Sequence, residues 1–236
     1  MSKKGSLYLI PTTLGIAPVD GSLPSKVIET ASNLEFFIVE NIRTSRRYLS
    51  KVGMKTHIRE LDFQVLNKHS LKNKIDELLS PIDKGYDVGV LSEAGCPGIA
   101  DPGAEIVSIA HRRNIQVIPL IGPSSILLAL MGSGLNGQKF TFHGYLPKDR
   151  RLRIAAILEL ESQTENTGAS QVFIEAPFRN KHILQDIVKQ CKTQTLLCLG
   201  TDLSLESESL QTRTIEGWKK DLPQIDKRPT VFIIGR

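Results

Sequence analysis

The clearest hydrophobic pattern of the chain lies in residues 87–103. Val88–Leu91 is an unbroken apolar run, which is typical of a strand that is buried on both faces. Glycine and proline then interrupt the chain five times, and from Ala104 to Arg113 apolar residues recur on one helical face. This order predicts a strand, a glycine-rich loop and a helix, with Asp101 at the N-cap position.

Apolar strands and helical stripes alternate through the first half of the chain. Strands are predicted at 6–11, 35–40, 87–91 and 115–120, and helices at 24–33, from Asn41 onward, and at 71–79, 104–113 and 126–131. Such alternation predicts a mainly parallel sheet. A second glycine-proline loop, Gly122-Pro123-Ser124-Ser125, follows the last strand. Parallel strands end at one edge, so the loops either line a ligand crevice or are structural turns.

The second half of the chain has a different pattern. Small and polar residues cluster at 132–138, which predicts a domain boundary near Gly137 and domains at residues 1–136 and 137–236. Beyond it, strands are predicted at 139–146, 171–176, 195–200, 210–218 and 230–234, and helices at 148–161 and 180–191. Clustered strands with fewer helices predict a mixed sheet. The fold class is therefore α/β, with two α/β domains, the first with a mainly parallel sheet.

Composition narrows the class of protein. No apolar run approaches the ~18 residues of a membrane span, and the start Met-Ser-Lys-Lys-Gly lacks the apolar core of a signal peptide, so a soluble, cytoplasmic protein is expected. Cys96, Cys191 and Cys198 form no CxxC pair and predict free thiols. A formal charge of +5 permits an anionic partner such as RNA without requiring one. Arg150, Arg151 and Arg153 favour a solvated face over an anion contact.

Several segments together resemble the tetrapyrrole methylase superfamily of S-adenosylmethionine-dependent methyltransferases. Leu91–Gly103 is similar to the motif Ser-Asp-Ala-Gly-Thr-Pro-x-Ile-Ser-Asp-Pro-Gly, with Glu93, Cys96 and Ala100 as substitutions. Further matching blocks occur in the same order at 122–125, 133–135, 140–147 and 173–179, and more loosely at 7–12 and 40–46. Within the superfamily, the chain looks most like the bacterial small-subunit ribosomal RNA cytidine-2′-O-methyltransferase I family.

This resemblance implies a homodimer in which each chain holds S-adenosylmethionine in a cleft between its two domains. It also implies which residues meet the cofactor: Leu14, Gly95, Cys96, Ile99, Ala100, Ser124, Ser125, Ala176 and Thr230. An apolar slot for adenine, polar groups for ribose and carbonyl oxygens near the sulfonium are the chemistry that such loops supply.

The chain departs from the family pattern at three places. Glu-Asp-Thr-Arg of the family reads Glu40-Asn41-Ile42-Arg43, and Arg-Glu-Leu-Thr-Lys reads 201–205 without its two cations. By comparison with the family pattern, the chain is expected to be a short form without the C-terminal extension after Arg236. Three functions are therefore weighed: 2′-O-methylation of ribosomal or related RNA, methylation of a tetrapyrrole or other small heterocycle, and a non-catalytic regulatory paralogue that binds the cofactor.

Candidate catalytic residues follow from the chemistry of methyl transfer to a hydroxyl, which needs an aligned nucleophile and a base. Glu40 ends a predicted buried strand and could be that base, and Arg43 could bind a phosphate. An ordinary cap or salt bridge is the alternative for Glu40, as it is for Glu175 and Asp202. Cys96 lacks the histidine arrangement of a cysteine nucleophile. No metal is predicted, because the five histidines, His57, His69, His111, His143 and His182, show no ligand spacing.

Overall fold

The computed structural model describes residues 4–66 and 76–236. Contacts between α-carbons divide the chain into two compact units, Met1–Ser124 and Ser125–Arg236. Within the described residues, no helix is long and apolar enough to cross a membrane. The same residues hold no group of three or more His, Cys, Asp or Glu side chains that could bind a metal ion.

The first unit contains a five-stranded parallel sheet, which confirms the sequence prediction. The strands, in the order β3-β2-β4-β1-β5, are β1 Leu7–Ile10, β2 Phe36–Val39, β3 Asp62–Val65, β4 Val88–Leu91 and β5 Val117–Pro119. The described helices are α1 Val19–Ser22, α2 Ser25–Ser32, α3 Ile42–Val52, α4 Ser80–Asp83 and α5 Gly103–Arg112, with a 3₁₀ turn at Asp76–Leu79. Leu71 and Ile75 of the predicted helix lie outside the described residues.

Both faces of this sheet are covered, as the unbroken apolar strands predict. Val88 and Val90 of β4 belong to one buried cluster with Ile106 and Ile109 of α5. Leu91 belongs to a second buried cluster, which includes residues of α3 and of the elements beside it. In register, Leu91 lies opposite both Ile10 and Val39, so the strands β1, β2 and β4 end at the same level. Their following loops therefore start at one edge of the sheet.

The second unit contains a mixed five-stranded sheet. The elements are α6 Ser125–Ser133, β6 Phe140–Tyr145, α7 Arg150–Thr167, β7 Ser170–Ile174, a 3₁₀ turn at Pro177–Arg179, α8 Asn180–Gln190, β8 Leu196–Thr201, β9 Ser209–Thr214, α9 Ile215–Lys220 and β10 Thr230–Gly235. The strand order is β6-β7-β10-β8-β9. Only the pair β6–β7 is parallel, so the predicted mixed sheet is confirmed.

Helix α6 belongs to the core of the second unit. Ile126, Ala129 and Leu130 are buried in one cluster with Val172 and Cys198 of the sheet. This packing places the division of the chain before α6, whereas the change to small and polar residues on which the sequence prediction rests comes after it. Apolar contact, rather than composition, decides to which unit a helix belongs.

The three arginines at the start of α7 differ in exposure, since Arg153 is buried whereas Arg150 and Arg151 are exposed. Arg153 is 7% exposed, and its Nη2 lies 2.7 Å from Oδ2 of the buried Asp186 on α8. Arg150 reaches the other oxygen of the same carboxylate at 3.0 Å. Only Arg151 is exposed without such a partner among the described residues. The carboxylate compensates for the cations at the amino end of the helix, where the macrodipole disfavours them.

Candidate functional site

The loops that leave β1, β4 and β5 are joined to one another. Thr12 and Gly95 exchange two backbone hydrogen bonds, with N to O distances of 2.9 and 3.2 Å. The Cys96 thiol donates to the carbonyl oxygens of Gly122 and Pro123, at 3.6 and 3.4 Å from Sγ. The first, second and third loops therefore form one surface at the carboxyl edge of the parallel sheet, where α/β proteins bind ligands.

Glycine is required where these loops meet. Gly95 has a φ of +74°, a left-handed conformation that side chains disfavour. A Cβ atom on Gly95 would lie 3.2 Å from both Leu14 Cδ2 and the Pro123 carbonyl oxygen. A Cβ atom on Gly122 would lie 2.1 Å from Pro11 Cβ. The close approach of the three loops therefore requires glycine at these two positions.

The predicted cofactor residues of the first unit lie on this joined surface or beside it. Leu14, Gly95, Cys96 and Ser124 belong to the three loops where they meet. Ile99, 52% exposed, and Ala100, with a φ of +62°, lie further along the second loop.

Asp101 fixes the second loop to the start of α5. Its Oδ1 accepts hydrogen bonds from the backbone N–H groups of Gly98 and Gly103, both at 2.7 Å. The observed N-cap of α5 is Pro102, so the predicted N-cap Asp101 lies one position earlier and still satisfies the free N–H of Gly103. Burial raises the pKa of the Asp101 carboxyl, and the two hydrogen bonds partly offset that effect.

The candidate catalytic residues lie where β2 passes into α3. Asn41 is the N-cap of α3, and its Oδ1 accepts from the N–H groups of Arg43 and Thr44 at 2.9 and 3.4 Å. The amide that replaces the family carboxylate thus caps the helix. Thr44 donates to Glu93 of the second loop at 2.6 Å. Glu40 lines a narrow crevice together with residues 101–103 of the same loop.

Ala176 and Thr230 lie at one edge of the second sheet. Ile174 of β7 pairs with Val231 of β10. Ala176 follows Ile174 by two residues and Thr230 directly precedes Val231, so the two lie at the same end of these antiparallel strands. The Thr230 hydroxyl lies 3.1 Å from that of Thr201 at the end of β8. Ser125, the remaining predicted residue of this unit, is the first residue of α6.

Both strand-end carboxylates of the second unit are held in ion pairs. Glu175 is buried, its Oε1 accepts from the Ala176 N–H at 2.8 Å, and its Oε2 lies 2.9 Å from Arg179 Nη2 without hydrogen-bond alignment. Asp202 accepts from Arg228 Nε at 2.8 Å. These pairs favour the structural alternative for both carboxylates.

Two residues of this edge were not found from sequence. Arg228 supplies a cation to Asp202 from another segment of the chain, and Asn180 donates from Nδ2 to the Arg228 carbonyl at 2.6 Å. The fully buried Oδ1 of Asn180 has no hydrogen-bond partner among the described residues. No local motif predicts either contact, since they join residues far apart in sequence.

Bacterial ribosomal RNA methyltransferases resemble the chain along most of its length. The ribosomal RNA small subunit methyltransferase I of Buchnera aphidicola (strain Sg) is 26% identical over 238 residues, which cover 99% of this chain and 79% of the relative. The protein of the same name from Halalkalibacterium halodurans is 32% identical over 186 residues, covering 78% and 60%. No family model matches the chain.

The fold has a solved counterpart. The crystal structure of the methyltransferase CobJ superposes with a TM-score of 0.64 at 15% identity and covers 98% of this chain and 94% of its own. The chain is a methyltransferase that is similar to the ribosomal RNA small subunit methyltransferase I proteins along most of its length. The matches to these relatives confirm the resemblance found in the sequence motifs of this methyltransferase, and the solved structure confirms the predicted α/β fold.

The Cys96 thiol of this methyltransferase is expected to react slowly with alkylating reagents. Burial raises its pKa, and the thiolate is the reactive form. At about pH 8, iodoacetamide should label the folded protein more slowly than a free cysteine and faster as the pH rises. Cys191 and Cys198 are buried, so Cys96→Ser should remove the labelling of the native state. Labelling at the rate of a free cysteine would contradict this expectation.

Proposed function

We propose that this methyltransferase transfers the methyl group of S-adenosylmethionine to a 2′-hydroxyl of small-subunit ribosomal RNA. The curated relatives supply the substrate class through their names. The observation that carries the proposal is the surface formed by the three joined loops, whose close approach depends on Gly95 and Gly122. By family resemblance, we also propose a cytoplasmic homodimer with a cytidine as the target.

The proposed cofactor contacts are those predicted from sequence. Leu14, Gly95, Cys96 and Ser124 have the strongest support, because the structure brings them to adjoining loops. Ile99 and Ala100 continue along the second loop. Ser125, Ala176 and Thr230 of the second unit complete the set, and the placement of Ala176 and Thr230 at one sheet edge supports them as a pair.

The reaction requires alignment and removal of one proton. When bound, S-adenosylmethionine would supply an electrophilic methyl group to the hydroxyl oxygen and would leave as S-adenosylhomocysteine, which keeps the electron pair of the carbon–sulfur bond. We propose that Glu40 takes the hydroxyl proton and that Arg43 contacts a phosphate of the substrate. Asn41 supports both roles, because its cap fixes the first turn of α3.

Two measurements test this function. Calorimetry should show binding of S-adenosylmethionine and S-adenosylhomocysteine. Labelled methyl groups should pass to small-subunit ribosomal RNA from cells that lack the gene, and digestion with mass spectrometry should locate the label on a ribose. Binding without transfer to any RNA or small-molecule fraction would replace this proposal with a regulatory role. Absence of cofactor binding would overturn it.

Glu40→Gln should lower kcat roughly 10²- to 10⁴-fold, the range for loss of a general base, with little change in cofactor affinity. The matched control is Asn41→Asp, which restores the carboxylate of the family motif and retains a side-chain oxygen that can cap α3. The control should keep kcat within a few-fold of the parent. A Glu40→Gln enzyme with parental kcat would remove Glu40 from the mechanism.

A further inference from the structure

The positive charge of the chain is concentrated in one short segment. Residues 41–59 contain no Asp or Glu and six basic residues: Arg43, Arg46, Arg47, Lys51, Lys55 and Arg59. The rest of the chain has 30 − 6 = 24 Lys and Arg against 25 Asp and Glu, a formal charge of −1. The net charge of +5 therefore arises from this segment, whose six cations we call the basic surface.

The fold presents these cations to solvent. Helix α3 buries Ser45, Leu49 and Val52. Arg43, Arg47 and Lys51 recur every fourth residue on the opposite side of the helix. All six side chains of the basic surface are exposed, including those of Lys55 and Arg59 beyond the end of α3. The helix thus presents a continuous row of positive charge along about 12 Å, at 1.5 Å per residue.

Ion pairs among the described residues do not compensate the basic surface. None of its six cations forms an ion pair with any residue in the described ranges. Elsewhere the described arginines are often neutralised, for example Arg113 by Asp76, Arg153 by Asp186 and Arg228 by Asp202. Neighbouring like charges on a helix repel one another, so the row is unfavourable without an anionic partner.

One cation of the basic surface is oriented by an aromatic ring. The Arg46 guanidinium lies 5.3 Å from the centroid of the Phe63 ring on β3. A stacked guanidinium keeps its N–H donors available and loses less conformational freedom when it binds a phosphate. The surface also starts at the candidate site, since α3 begins two residues after Glu40 and Thr44 is bonded to Glu93 of the second loop.

We infer that the basic surface binds successive phosphates of the RNA strand whose ribose is methylated. This inference rests on the proposed function and deepens it, because it assigns the substrate a path along α3 that leads away from Glu40. Arg47 and Lys51 lie outside the proposed catalytic residues and are the positions that isolate substrate binding. Their removal should weaken RNA binding without altering the cofactor site.

The test compares two charge-matched double variants. Arg47→Gln with Lys51→Gln removes two cations of the basic surface. Lys84→Gln with Arg112→Gln removes two exposed cations of the same unit that lie before β4 and β5, at the amino edge of the sheet. Fluorescence anisotropy with unmodified small-subunit ribosomal RNA, measured from about 50 to about 300 mM salt, gives the affinity and its salt dependence. Circular dichroism checks that both variants are folded.

The Arg47/Lys51 variant should lose two phosphate contacts. At about 0.1 M salt this weakens binding about 25-fold, and it lowers the slope of log K against log salt by about 1.4, the value for a single strand. The KM for RNA should rise while kcat is retained. The Lys84/Arg112 control should keep the parental slope. Equal losses in both variants, or no loss in the first, would overturn the inference.

The outcomes separate this inference from the proposed function. RNA binding that depends on Arg47 and Lys51, without methyl transfer, would support the surface and reject the activity. Methyl transfer with RNA affinity indifferent to these residues would reject the surface and leave the activity in place. A parent protein that does not bind small-subunit RNA at all would reject both.

Discussion

Gly95→Val should abolish binding of S-adenosylmethionine at concentrations up to at least 100 times the parental Kd, an expected loss of about 2.7 kcal/mol or more. The new Cβ would lie 3.2 Å from Leu14 Cδ2 and from the Pro123 carbonyl oxygen, which separates the loops that form the candidate site. The position also has a φ of +74°, which adds about 1–2 kcal/mol of backbone strain. Calorimetry with the cofactor measures the loss.

Gly168→Val is the matched control for this result. Gly168 has a similar φ of +69°, but a Cβ there would meet nothing within 4 Å, and the residue ends α7. The control should lose a comparable amount of stability through backbone strain and still bind the cofactor with parental affinity. If both variants bind alike, the joined loops are not the cofactor site.

Asp186→Ala should lower the free energy of unfolding by about 3–5 kcal/mol, because it leaves Arg153 buried without its carboxylate. Urea denaturation followed by circular dichroism measures the change. Glu165→Ala is the control, since Glu165 also pairs with a cation, Lys192, but both side chains of that pair are largely exposed. The control should cost less than about 1 kcal/mol. Equal small losses would show that the Asp186 pairs do not stabilise the fold.

The sheets could be predicted from sequence because their strands carry a strong periodic signal. The run Val88–Leu91 is apolar at every position, and this pattern alone predicts a strand that is buried on both faces. The ends of α7 and β9 could not be read in the same way. Polar residues 163–167 give no helical stripe, yet α7 continues to Thr167, where Gly168 N–H bonds to the Thr164 carbonyl.

The segment 210–218 shows how two periodicities compete. Its alternating residues predict one strand, but β9 ends at Thr214, whose hydroxyl accepts from the Gly217 N–H and caps α9. Ile215 and Trp218 are then three residues apart on the buried side of a helix. A strand pattern and a single helical turn both fit so few residues, and tertiary packing decides between them.

The candidate site was predictable in its parts but not in its connections. Glycine and proline after β4 and β5 mark loops at one sheet edge, as the parallel topology requires. The hydrogen bonds from Thr12 to Gly95 and from Cys96 to Pro123 join residues distant in sequence, so no local rule finds them. The partner of Arg153 could not be predicted for the same reason, since Asp186 lies on the next helix, far from Arg153 in sequence.

Strand order has a consequence for biosynthesis. β1 pairs with β4 and β5, which are made much later, and β10 inserts between β7 and β8. Neither sheet can close while these late strands remain inside the ribosome tunnel. Until then β7 and β8 each lack a neighbour and leave backbone N–H and C=O groups unpaired, so the nascent polypeptide passes through a stage that is prone to aggregation.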